Sequence, residues 1–122
     1  MIVEAFVERV NSKEHIEIFM KKASLSLKIQ CDEEYLTLII LNGFIKIDTA
    51  QKIENPDVFI SGTSESLTSI IEGKETLRKL EQTGKIKILS TFRNMLFLET
   101  LFILGKEKKM NNLFNQKFQI NS

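Results

Sequence analysis

The spacing of apolar residues along the chain changes period several times, and each change marks an element. Val3, Phe6, Val7 and Val10 recur at three- and four-residue intervals and predict an amphipathic helix. Asn11-Ser12 interrupts it, and Ser12 reads as the N-cap of a second short helix. The apolar face of that helix is Ile16, Phe19, Met20 and Ala23, with Lys21 and Lys22 suited to its C-terminal dipole. The period then drops to two. Leu25, Leu27, Ile29 and Cys31 alternate with Ser24, Ser26, Lys28 and Gln30, the pattern of a strand with one wet face. After the polar turn Asp32-Glu33-Glu34, residues 35–41 (YLTLIIL) are nearly continuously apolar, as in a strand buried on both faces. Asn42-Gly43 separates this run from the alternating Phe44-Ile45-Lys46-Ile47 and predicts a type I′ hairpin.

A polar connection holding the only proline, Pro56, leads to a fourth strand, Asp57 to Ser61. Ser64 reads as the N-cap of a short helix with Leu67, Ile70 and Ile71 on its apolar side and Gly73 at its end. Leu77 and Leu80 mark another short helix closed by Gly84. Lys85 to Leu89 alternates as a fifth strand, and Ser90 reads as the cap of a last helix running to about Leu104, with Gly105 as its stop. Four strands joined by short links imply an antiparallel meander. With the helices gathered on one side, the expected class is α+β: a five-stranded, mostly antiparallel sheet covered on one face by helices.

Composition narrows the function. The formal net charge is +1, without the basic excess of a nucleic-acid binder. Cys31 has no second cysteine to pair with, which fits a reducing compartment. The first ten residues, MIVEAFVERV, lack the basic n-region of a signal peptide, and no apolar run is long enough to span a bilayer. A cytoplasmic protein without stable membrane insertion is expected. His15 stands alone among Lys13, Glu14 and Glu17, so no His-based triad or zinc site is in reach. Asp32-Glu33-Glu34 lacks the spacing of a calcium loop, and the five glycines form no phosphate-binding loop. No catalytic residue, metal ligand or cofactor is expected.

Several stretches resemble the sterol carrier protein type 2 (SCP2) domain. SLSLKIQ (24–30), YLTLIIL (35–41) and NGFIKID (42–48) are similar to its opening meander. NPDVFISGTSESLTSIIEGK (55–74) resembles its strand, Ser/Thr-rich cap and short helix, and GKIKILS (84–90) its fifth strand. The resemblance covers about residues 1–105 and implies a lipid-binding domain there, followed by a polar tail over 106–122. It implies a hydrophobic tunnel that takes fatty acid, acyl-CoA or a sterol-like lipid, and no catalytic constellation. The chain departs from the family in the short polar connection KETLRKLEQT and in Ser90-Thr91, where the family usually has Gly-Asp. Both departures border the lipid cavity and so bear on its size and ligand class.

The last helix is apolar almost all round its wheel, and such a helix is normally covered on all sides. It is expected either to be buried as a core element or to line a lipid cavity or dimer contact. The candidate ligand-binding wall is Ile70, Ile71, Leu77, Leu80, Phe92, Met95, Leu96, Glu99 and Phe102. Glu99 falls at the centre of the most apolar sector, where a carboxylate needs a partner. It is expected either to pair with a lysine or arginine or to anchor the polar end of a ligand. The expected partner is a hydrophobic small molecule. The alternative is an interaction module that uses the same helix for homodimerisation or for docking to a larger enzyme.

Overall fold

The computed structural model describes residues 2–49 and 53–106. Its elements are α1 (Ile2–Asn11), α2 (Glu14–Met20), β1 (Leu25–Cys31), β2 (Glu34–Leu41), β3 (Phe44–Ile47), β4 (Val58–Gly62), α3 (Ser64–Ile71), α4 (Leu77–Gln82), β5 (Ile86–Leu89) and α5 (Phe92–Leu104). The strands form one sheet in the order β3-β2-β1-β4-β5. Pairs β1–β2, β2–β3 and β4–β5 are antiparallel, so the sheet is mostly antiparallel as expected.

The meander stops after three strands. β4 does not follow β3 in space; after a connection of ten residues, 48–57, it lies on the far side of β1 and runs parallel to it. That connection is long enough to cross the sheet, which a hairpin link is not. The register explains what is gained. Val58 and Ile60 stand opposite Leu27 and Ile29 on the face that carries the core, and all four are buried. Just before β4, Asp57 extends this junction. Its carboxylate accepts from the Ser26 N–H at 2.9 Å, and the Ser26 hydroxyl accepts from the Asp57 N–H at 2.9 Å.

Period-two alternation sorts the strands cleanly. Leu25, Leu27, Ile29, Leu38, Ile40, Ile45, Val58, Ile60 and Ile86 form one apolar face, and a single core cluster joins it to buried side chains of every helix. The opposite face carries Ser26, Lys28, Lys46, Ser61 and Lys87, with Lys28 lying over the Tyr35 ring. β2 is therefore not buried on both faces as expected. Leu38 and Ile40 are covered by the helices, whereas on the other face Tyr35 and Leu41 are exposed, Ile39 is half-covered and only Thr37 is buried.

Turns and caps follow local chemistry. Asn42 and Gly43 both have positive φ, +55° and +86°, as a type I′ turn requires. Gly73 and Gly84 sit at positive φ after α3 and α4, and the N–H of the residue beyond each reaches back across the last turn, from Lys74 to Ser69 and from Lys85 to Leu80. Three expected caps are shifted by one residue. Thr63 and Thr91, not Ser64 and Ser90, accept from the N3 amides of α3 and α5, at Ser66 and Asn94. The N-cap position of α2 is held by Lys13, and the Ser12 hydroxyl instead donates to the Arg9 carbonyl. Threonine supplies the same oxygen as serine, so sequence left the choice between neighbours open.

Two contacts fix α1. Asn11, its last residue, meets the outer edge of β3: its side-chain amide donates to the Ile45 carbonyl at 2.8 Å and its oxygen accepts from the Ile45 N–H at 2.9 Å. Ile45 pairs across from Ile40 one step beyond the hairpin turn, so its backbone groups point away from β2. One side chain thus does the work of a neighbouring strand. At the other contact α1 receives the end of α5. A Cβ on Gly105 would lie 2.7 Å from Phe6 Cε1 and from Val10 Cγ2. Arg9 Nε donates to the Gly105 carbonyl at 3.1 Å, and the Phe6 and Phe102 rings meet at 5.2 Å. The polar tail expected over 106–122 lies, apart from Lys106, outside the described residues.

Gly105 has φ −91°, a conformation open to any residue, so Gly105→Ala tests packing alone. Backbone entropy would favour alanine, whereas the buried Phe6 and Val10 must move to admit it. The expected result is a loss of about 1–3 kcal/mol in urea unfolding. Asn11→Ala is expected to cost about 1–2 kcal/mol and to raise aggregation, because it uncovers two ladder groups on an edge strand. Size-exclusion chromatography against concentration measures the second effect.

Candidate functional site

Helix α5 decides where a ligand could enter. Its buried residues are Met95, Leu98, Glu99, Leu101 and Phe102, while Leu96, Phe97 and Leu104 are half-buried and Phe92 and Ile103 exposed. The C-terminal half is seated on α1 through Phe102 and Gly105. In the N-terminal half Met95 and Leu98 are buried. Phe97 stacks on Phe19 of α2, with ring centroids 4.9 Å apart and planes within 6°. Around that pair a cleft of about 400 Å³ opens between the end of α2, the start of β1 and the first turns of α5. Phe19, Ala23, Leu25 and Phe97 give it an apolar floor; Lys22, Ser24, Arg93 and Asn94 complete the wall. That volume and mixture suit a small-molecule cleft: apolar surface with a few polar groups to orient the guest.

A second cleft, about 320 Å³, lies between α1, the β1–β2 end of the sheet and α3. Val3, Ile29, Leu67 and Ile71 line it, with the Cys31 thiol, Ser64, Thr68 and Glu34. A third hollow is lined mainly by polar side chains of α3 and its neighbours, together with Leu80.

Of the residues nominated from sequence, Ile70, Ile71, Leu77, Leu80 and Phe102 lie in the core cluster. Met95 is buried outside that cluster, Leu96 is half-buried, and Phe92 is 63% exposed. Ile71 reaches the second cleft and Leu80 the third; the cleft beneath α5 is lined by other side chains. Phe19, Lys22, Leu25, Arg93 and Phe97 were missed as a group. Phe19 and Leu25 read as ordinary core positions and Lys22 as a dipole residue, and nothing in the pattern brings them to Arg93 and Phe97 some 70 residues away.

Glu99 has its partner. Arg78 Nε donates to Oε2 at 3.1 Å and more loosely to Oε1, and the Arg78 backbone N–H donates to Oε1 at 3.3 Å. Arg78 is the second residue of α4, whose N-cap Thr76 accepts from the Lys79 N–H. The Glu99 carboxylate therefore satisfies a free amide at the start of α4 and faces the positive end of its dipole. Arg78 is half exposed, so the guanidinium keeps most of its hydration while the carboxylate is buried.

The remaining chemistry is sparse. Among the described residues no group of three or more His, Cys, Asp and Glu side chains could hold a metal ion. No helix of the described residues is long and apolar enough to cross a membrane.

Comparison with known proteins agrees with this architecture. The model of the SCP-2 sterol transfer family matches residues 4–89. Among solved structures, a UbiJ-SCP2 ubiquinone synthesis protein superposes with a TM-score of 0.68 at 10% identity, over 84% of this chain and 87% of that one. Apo sterol carrier protein 2 from Yarrowia lipolytica superposes with a TM-score of 0.60 at 14% identity, over 88% and 91%. The inverting sec-alkylsulfatase Pisa1 from Pseudomonas sp. matches at 0.63 and 17%, over 75% of this chain but 14% of the sulfatase. No functionally curated protein matches this sequence. The strand order, helical cover and family match converge: the chain belongs to the SCP-2 sterol transfer family.

Proposed function

We propose that this domain binds and transfers a hydrophobic small molecule, a fatty acid, acyl-CoA or sterol-like lipid, without carrying out chemistry on it. The observation that carries this reading is the cleft beneath α5. Its floor is apolar, its volume is in the range of small-molecule sites, and its cations stand where the polar end of an amphiphile would emerge. Membership of a sterol transfer family supports it. An apolar tail entering past the Phe19–Phe97 pair would run under α5 toward Met95, Leu96 and Phe102, with Ile70, Ile71, Leu77 and Leu80 in the layer beyond. In this reading the Glu99–Arg78 ion pair would be the polar group nearest that path.

The test is titration of the delipidated full chain with a fluorescent fatty acid. Saturable binding is expected, weakened by about tenfold or more in Phe97→Asp, because a charge on the cleft floor must be desolvated with the guest. Absence of saturable binding, with no lipid co-purifying in native mass spectrometry, overturns the reading. A stable dimer by light scattering with no lipid uptake would favour the alternative role of α5 as a homodimer contact.

Glu99→Gln separates two roles of that carboxylate. Both of its oxygens are occupied by Arg78, so the expected result is a stability loss of about 1–2 kcal/mol in urea unfolding. The fatty-acid dissociation constant is expected to stay within about twofold of the parent, a shift of roughly 0.4 kcal/mol. A larger change in affinity than in stability would instead make Glu99 a ligand anchor.

A further inference from the structure

The sheet has two edges, and the chain treats them differently. At β3 the Ile45 N–H and C=O are both taken by the Asn11 side chain. At the other edge β5 pairs with β4 alone. Alternate residues of such a strand turn their N–H and C=O away from the partner. Among the described residues, no group outside the β4–β5 ladder hydrogen-bonds to residues 86–89. This edge is nevertheless well seated. Ile86 is buried opposite Gly62, where a Cβ would lie 2.8 Å from Ile86 Cγ2. Just before the strand, the Lys85 N–H donates to the Leu80 carbonyl at 2.9 Å and ties β5 to the end of α4. An incoming strand therefore meets a preformed edge, and docking there orders only the partner.

The side chains of β5 say what kind of strand fits. Ile86 and Ile88 lie on the helical face, packed on the core, and Lys87 lies on the helix-free face. Lys87 is exposed, stands opposite Ser61 and is in no salt bridge among the described residues. Lys85 is exposed as well, but Glu65 and Glu75 line the same hollow, so the charge preference rests on Lys87. A second copy of this chain is a poor occupant. A two-fold axis centred on Lys87 would set that lysine against its own copy, and like charges directly opposite destabilise a ladder. Lysine on an open edge guards against such self-pairing. The same charge favours a carboxylate in a strand of another kind.

We propose that the free edge of β5 takes up an extended segment of a partner protein in which acidic and apolar residues alternate. The segment adds a sixth strand. Its backbone satisfies the outward N–H and C=O groups of β5, which supplies affinity. Its carboxylates lie beside Lys87 on the helix-free face, and its apolar side chains lie beside Ile86 and Ile88 on the other, which supplies selectivity. Lys87 lines none of the three clefts, so this edge stands or falls separately from the ligand proposed above.

Fluorescence anisotropy of short capped peptides titrated with the full chain tests it. A peptide alternating glutamate and valine is expected to bind saturably, and one alternating lysine and valine to bind about tenfold more weakly or worse. N-methylation of every second amide of the first peptide is expected to abolish binding in one phase and to spare it in the other, because only one set of amides faces β5. Lys87→Glu is expected to reverse the preference between the two peptides. The position is on the surface, so a thermal melt close to that of the parent and an unchanged fatty-acid titration are expected for this variant. Equal binding of both peptides, no saturable binding of either, the same response to both N-methylation phases, or an unchanged preference in the folded Lys87→Glu variant would overturn the proposal.

Discussion

The seat of α5 on α1 is the contact on which the rest of the site depends. α5 is apolar on nearly every side and has no polar face to dictate its orientation. Its orientation is set instead at one end, where Gly105 lets the helix terminus close on Phe6 and Val10 and where Arg9 takes the last carbonyl. A second restraint acts at mid-length, through Glu99 and the start of α4. Beyond these two points Met95 and Leu98 are buried, and beside them Phe97 stacks on Phe19 next to the cleft. The two ends of this helix are therefore placed by different contacts, α1 at one and α2 at the other.

Polar side chains close the sheet where backbone would otherwise be open. Asn11 occupies the outer edge of β3, and Asp57 with Ser26 caps the start of the β1–β4 junction. The two devices answer the same problem, unpaired N–H and C=O groups at the limits of a small sheet. They also mark the points where the chain changes direction of assembly, from helix into meander and from meander into the parallel strand.

Most of the fold was legible because its signals are local. The period-two runs, the Asn42-Gly43 turn and the glycine ends of α3 and α4 depend on neighbouring residues and emerged where expected. The crossing to β4 did not. Val58 and Ile60 alternate in the same way whichever strand they join, so only the long connection hinted at it. The site was less legible than the fold for the same reason. Met95, Glu99 and Phe102 could be recognised as inward-facing on α5, but the cleft forms where α2 meets α5, and the Phe19–Phe97 contact leaves no trace in either segment. Lys22 and Arg93 each look ordinary in sequence; the topology makes them neighbours of one opening.

The bond from Arg9 to Gly105 spans 96 positions of the chain. During synthesis α1 emerges early and α5 late, so Phe6 and Val10 stay uncovered until nearly the whole domain has left the ribosome. A chain that stops before residue 105 holds every strand of the sheet but lacks the group that closes on Phe6 and Val10.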